Sequence, residues 1–114
     1  MITIKDFKAG ETVYVLKSNK GRIDKPEVTE RIVKAAGRKY VTLDNDEKYE
    51  DNNRDFLLQA VNYGEKQLLF HTKTEVTEYL EKHELTIWFR NHAVYNIGKY
   101  SLEQLRKVKE ILEP

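Results

Sequence analysis

Glu11-Thr12-Val13-Tyr14-Val15-Leu16 decides the fold of this chain. β-branched and aromatic residues dominate the run. A pleated strand sends successive side chains to opposite faces, so Val13 and Val15 share one face. Gly10 stands just before it, where a turn is expected, and Ser18-Asn19-Lys20-Gly21 ends it with residues suited to turn geometry. Pro26 marks the entry to the next strand, because proline is tolerated at a strand start but not in a central ladder. Glu27 to Ala36 carries Val28, Ile32 and Val33 among charges and reads as a long, curved, half-exposed strand. Gly37-Arg38-Lys39 connects it tightly to Tyr40-Val41-Thr42-Leu43, which alternates cleanly, so the two form an antiparallel hairpin.

Working outward, Asp44 to Asp55 is polar and acidic, with Asn45, Asn52 and Asn53 adding turn propensity. It reads either as a solvated loop or as one carrying a short edge strand around Tyr49. Phe56-Leu57-Leu58-Gln59-Ala60-Val61 and Gln67-Leu68-Leu69-Phe70 flank Asn62-Tyr63-Gly64-Glu65 as a second hairpin. About five short antiparallel strands at these spacings predict a small barrel, whose closure removes exposed edges. After His71 the period changes. Thr72-Lys73-Thr74-Glu75 fits a capping box, in which Thr72 and Glu75 satisfy each other's orphan amides. Val76, Tyr79, Leu80, His83 and Ile87 then recur at helical spacing, and no glycine or proline interrupts 73–92. Ser101-Leu102-Glu103-Gln104 repeats the cap before the stripe Leu102, Leu105, Val108, Ile111, Leu112 of a short amphipathic helix. The expected fold class is α+β: a small SH3-like antiparallel β-barrel (1–71) followed by two α-helices (72–114), in a single domain.

The chain has 114 residues, a length that suits one compact domain rather than two independent cores. Seven Tyr, four Phe and one Trp bury too much area for a disordered chain. The absence of cysteine excludes disulfides, thiolate metal sites and thiol catalysis. No 18-residue apolar run is present and Met1-Ile2-Thr3-Ile4-Lys5-Asp6 lacks a signal-peptide core, so a cytoplasmic protein without membrane contact is expected.

The net charge of +1 hides a segregated distribution. Residues 17–39 carry eight basic side chains (Lys17, Lys20, Arg22, Lys25, Arg31, Lys34, Arg38, Lys39) against three acidic ones. Residues 44–55 carry six acids (Asp44, Asp46, Glu47, Glu50, Asp51, Asp55) against two bases. Such segregation either creates two surface fields that steer charged partners or folds together and neutralises locally.

Candidates for chemistry are sparse. His71, His83 and His92 lie too far apart for helical metal-ligand spacing and read as structural or surface residues. Asp44-Asn45-Asp46-Glu47-Lys48 lacks the acid and glycine that a calcium loop needs at its fifth and sixth positions. Asp46-Glu47-Lys48 matches the acid-x-Lys element of metal-dependent nucleases, but no separate acid is placed as second ligand. Ser18 falls in a turn, Ser101 caps a helix, and the five glycines form no phosphate loop, so no catalytic residue, metal or cofactor is expected. The basic stretch, with Tyr14 and Tyr40 nearby, suits nucleic-acid binding by a small barrel, although a pI of 7.9 is short of a dedicated binder. Trp88 and Phe89 are expected in the core, because a small domain needs its largest side chains inside.

Ile4-Lys5-Asp6-Phe7-Lys8-Ala9-Gly10-Glu11-Thr12-Val13-Tyr14 and Gly37-Arg38-Lys39-Tyr40-Val41-Thr42 resemble small β-barrel proteins carried by phages and mobile elements of Gram-positive bacteria. Glu78-Tyr79-Leu80-Glu81-Lys82 and Tyr100-Ser101-Leu102-Glu103-Gln104-Leu105 resemble their helical tail. Some of that group are anti-CRISPR proteins acting on type II-A Cas9. The resemblance implies a stoichiometric, non-enzymatic inhibitor that binds Cas9 and interferes with guide-RNA loading. Cas9 holds its guide in a positively charged channel, so a competitor should present negative charge. Asp44, Asp46, Glu47, Glu50, Asp51 and Asp55 are then the partner contacts. The alternatives are a nucleic-acid-binding regulator using the basic 17–39 surface and a metal-dependent nuclease using the acid-rich loop.

Overall fold

The computed structural model describes residues 1–19, 22–62 and 64–114, without the side chains of residues 18, 19 and 22–26. Lys20, Gly21 and Tyr63, each read as part of a turn, lie outside the described residues, as do the side chains of Arg22 and Lys25. The chain forms two compact units, Met1–Leu80 and Glu81–Pro114.

The first unit is a closed barrel of six antiparallel strands: β1 (Thr12–Asn19), β2 (Arg22–Ala36), β3 (Val41–Leu43), β4 (Lys48–Glu50), β5 (Leu57–Gln59) and β6 (Leu68–Phe70). Each strand pairs with the next, and β6 returns to β1 through Tyr14↔Phe70, Val15↔Leu69 and Leu16↔Leu68. The alternation read in β1 holds. Val13 and Val15 face inward and pack with Val33, Val41, Leu43, Leu57 and Leu69. Gly10 takes a φ of 91°, left-handed geometry that suits glycine, and its N–H donates to the Val33 carbonyl at 2.8 Å to align β1 with β2.

Two strand expectations need correction. Pro26 lies within β2, which starts at Arg22, rather than at a strand entry. Proline is accommodated there because it falls where the β1–β2 register is interrupted, and it has no ladder partner among the described residues. The stretch around Tyr49 is neither loop nor edge. β4 pairs with β3 (Val41↔Tyr49) and with β5 (Tyr49↔Gln59), and the Tyr49 side chain is fully buried at the barrel centre.

A second apolar cluster lies on the outer side of β1 and β6, where Leu16 and Phe70 meet Val76 of α1 (Lys73–Phe89), with Tyr14, Phe56, Tyr79 and Leu80 around them. The Phe56, Phe70 and Tyr79 rings stand 5.3–5.6 Å apart in tilted and edge-on geometry, which suits their quadrupoles. The helix start differs from the reciprocal cap expected. Thr72 Oγ1 accepts from the Glu75 N–H (3.2 Å) but donates to the Glu75 carboxylate (3.0 Å), and the other Glu75 oxygen is buried without a partner among the described residues.

Ile4 and Phe7 complete the barrel interior from the amino-terminal side. The Ile4 N–H donates to Asp51 Oδ1 at 2.9 Å and the Ile2 N–H to the Arg54 carbonyl at 3.0 Å, which binds this segment to the β4–β5 connection.

In the second unit the remainder of α1 runs into a π-helical turn (Arg90–Val94), a 3-10 turn (Ile97–Lys99) and α2 (Leu102–Leu112). Ser101 and Gln104 form the reciprocal cap read from the sequence, through Gln104 N–H to Ser101 Oγ (3.2 Å) and Ser101 N–H to Gln104 Oε1 (2.9 Å). Trp88 and Phe89 are not core residues: they are 53% and 39% exposed. Among the described residues Tyr49 and Phe70 are the largest fully buried side chains, and Trp88 instead stacks on His92, one turn further along, at 5.3 Å and 16°. Among the described residues no helix is long and apolar enough to cross a membrane.

Candidate functional site

The hairpin between β2 and β3 closes through a hydrogen bond from the Gly37 N–H to the Tyr40 carbonyl (2.9 Å), leaving Arg38 and Lys39 exposed at its tip. β3 then pairs with β4 so that Thr42 faces Lys48, and the alternation that buries Tyr49 turns Lys48 outward. The result gathers cations around one half-buried ring. Lys39 Nζ lies 5.3 Å and Lys48 Nζ 5.6 Å from the centroid of Tyr40. Both distances are within the range of cation–π attraction. Arg38 and Lys39 belong to the basic stretch singled out in the sequence. Lys48 falls within the acidic stretch, and only the β3–β4 register brings it to Tyr40.

The other members of the basic stretch disperse. Lys17 lies across from Glu27, with its Nζ 3.9 Å from the carboxylate. Arg31 stands opposite Val13, so its half-buried side chain takes the inward side of β2 rather than the outer surface. Lys34 donates to Asp46 at 2.8 Å. This contact joins the basic and acidic stretches. The hydrogen bond and opposite charge raise the Lys34 pKa and lower that of Asp46, with Lys48 adding to the latter. Tyr14 belongs to the apolar cluster beneath α1 and is half-buried there.

The acids are equally divided in their duties. Asp46 takes a φ of 67° in the β3–β4 turn, which aspartate tolerates better than most residues. Glu47 anchors a polar network at the barrel rim: its carboxylate accepts from Gln59 Nε2 at 2.7 Å and from the side-chain amides of Gln67 and Asn45. Gln67 Nε2 also reaches the Tyr49 hydroxyl at 3.4 Å. Burial and then the Glu47 charge push the Tyr49 phenol well above its ordinary value, opposed by Arg31. Asp51 holds the Ile4 amide, and Asp55 faces the amino terminus at 3.6 Å. Asp44 and Glu50 are the two whose carboxylates have no hydrogen-bond or ion-pair partner among the described residues.

Asp46-Glu47-Lys48 is therefore split three ways, onto Lys34, the rim amides and Tyr40. Among the described residues no group of three or more His, Asp or Glu is placed to hold a metal ion. The histidines are likewise apart. His71 Nε2 lies 3.2 Å from Glu11 and its ring meets Phe7 edge-on at 5.2 Å. His92 Nδ1 is 3.0 Å from the Trp88 carbonyl, which fixes the proton on that nitrogen.

The site thus gathers the β2–β3 turn, the first residue of β4, one aromatic ring and two ammonium groups on the barrel surface, an arrangement chemically suited to a flat ring next to a phosphate. Neither a curated protein nor a solved structure matches the chain. The Phage ProQ C-terminal-like domain family matches it over residues 1–114, its whole length, and the protein belongs to that family.

Proposed function

We propose that this phage-family barrel is a non-enzymatic binding module whose ligand is a single-stranded nucleic acid. The observation that carries the reading is the Tyr40 ring with Lys39 and Lys48 at 5.3 and 5.6 Å and Arg38 in the same turn. Stacking on a ring is sequence-tolerant, because every base has a π-face, while the ammonium groups track the phosphates on either side. Lysine stems are flexible, so a base that takes the ring face displaces an ammonium toward its own phosphate without rearranging the barrel.

The test is fluorescence anisotropy with labelled single-stranded and duplex oligonucleotides over a salt series. Tyr40→Ala is expected to weaken single-strand binding by at least fivefold, from a stacking contribution of about 1–3 kcal/mol. Lys39→Ala with Lys48→Ala should flatten the salt dependence by roughly 0.7 for each phosphate no longer neutralised. Equal binding by the folded Tyr40→Ala protein overturns the reading.

A second reading is the stoichiometric inhibition of Cas9, with interference in guide-RNA loading, that the family resemblance implies. Asp44 and Glu50 favour it, since their carboxylates have no partner among the described residues and their charge suits a cationic channel. Adding the protein to Cas9 before and after guide RNA separates the two. Order-dependent loss of the Cas9–guide complex, weakened by Asp44→Lys with Glu50→Lys and not by Tyr40→Ala, supports inhibition over direct nucleic-acid binding.

A further inference from the structure

β2 has fifteen residues and β3 only three, so the two edges of β2 are unequally covered. On one edge β1 accompanies β2 without a register break from Glu27 to Ile32. On the other, β3 pairs from Val33 onward, and one further bond runs from the Asp44 N–H to the Ile32 carbonyl at 2.9 Å. Among the described residues nothing pairs with this second edge before Ile32. Backbone groups alternate sides along a strand. Val33 exchanges with Glu11 and Gly10 on the β1 side and Ile32 bonds on the β3 side, so Val28 and Glu30 also aim their N–H and C=O at the open edge.

An open edge of this kind normally invites indiscriminate pairing, which charges and proline discourage. Here they do more than discourage, because their order is self-complementary. We infer that the open edge of β2 pairs with the same edge of a second copy of this chain, antiparallel, across a two-fold axis at Thr29. In that register Val28 and Glu30 of each copy exchange both backbone hydrogen bonds with Glu30 and Val28 of the other. Glu27 of each copy faces Arg31 of the other on the Thr29 side of the ribbon, placing opposite charges directly across from each other.

The neighbouring registers that keep the same hydrogen-bonding residues are each worse. Shifting one way puts Pro26, which has no N–H, opposite Glu30 and loses a donor. Shifting the other way sets Glu30 against its own copy and calls on the Ile32 carbonyl, which Asp44 already uses. The favoured register thus keeps every available donor and turns both charge contacts favourable. Val28 and Ile32, 40% and 42% exposed on the outer face, lie beside the seam and gain cover from it. The interface is isologous and short, so the dimer is a concentration-dependent one.

Sedimentation equilibrium on the full chain from micromolar to millimolar concentration tests this directly, with amide exchange of Val28 and Glu30 as a local readout. The expected result is a reversible monomer–dimer equilibrium in which both amides become protected as concentration rises. Glu30→Pro removes the edge N–H while leaving the β1 ladder, which uses the odd-numbered residues, and should abolish the dimer in a protein with an unchanged circular dichroism spectrum. Glu27→Arg alone should weaken the dimer about tenfold, because like charges then face each other across the seam, and Arg31→Glu should do the same. Mixing the two single variants restores both charge contacts and should return the association to its original strength in the heterodimer only. A chain that stays monomeric throughout overturns the inference. So does a dimer that survives Glu30→Pro or Glu27→Arg with unaltered strength, since its seam then lies elsewhere.

Discussion

Tyr49 makes the stability of the barrel sensitive to alkaline pH in a way that a single substitution isolates. Its side chain is fully buried, and burial together with the Glu47 carboxylate raises its pKa above the ordinary tyrosine value of 10.0. The folded protein therefore keeps a proton that the unfolded chain gives up, so stability is fully retained below pH 10 and declines above it. For one such group the loss at pH 11 is about 1.4 kcal/mol, with a limiting slope of about 1.4 kcal/mol per pH unit thereafter. The assay is urea unfolding followed by far-ultraviolet circular dichroism between pH 8 and pH 11, on the natural protein and on Tyr49→Phe. At pH 8 the variant should lose about 1 kcal/mol, because the hydroxyl contact with Gln67 disappears. Between pH 9 and pH 11 the two stabilities should converge and cross, since the phenylalanine has no proton to hold. Other groups titrate in both proteins alike and cancel in the difference. Parallel stability curves across this range would falsify the assignment of a raised Tyr49 pKa and the burial argument behind it.

Phe70→Ala removes the ring shared by Phe56 and Tyr79 under the first turns of α1 and should cost about 3–5 kcal/mol, seen as a lower urea midpoint. Ser101→Ala should cost α2 about 1 kcal/mol by loss of its reciprocal cap, read as reduced helicity with an unchanged barrel.

Where side chains answer to local rules, the sequence is legible. The β1 alternation, the turn at Gly37 and the Ser101 cap depend on residues within a few positions of one another, and each is found as read. Tyr49 shows the opposite case. Its strand is three residues long and set among acids, so nothing nearby marks it as central; its burial follows only from pairing with both β3 and β5. Pro26 is a related case. Proline excludes a paired N–H, not a strand, and where the β1–β2 register is interrupted depends on the pairing of the two strands.

The candidate site is legible only in part. Arg38, Lys39 and Tyr40 are contiguous, but Lys48 joins them through the β3–β4 register. Arg31 and Lys34 look alike as charges along the chain, yet one occupies the inward side of its strand and the other pairs with Asp46. Size alone puts Trp88 and Phe89 in a core, and size is a poor guide once smaller residues have filled the barrel.

The anchoring of the amino-terminal segment has a practical consequence. Ile4 and Phe7 belong to the barrel interior, and the segment that delivers them is held by the bonds to Asp51 and Arg54, by Asp55 at the amino terminus and by the edge-on contact of His71 with Phe7. A protease that trimmed the first seven residues would leave all six strands covalently intact and still flood the centre of the domain with water. Affinity handles for purification therefore belong away from this segment.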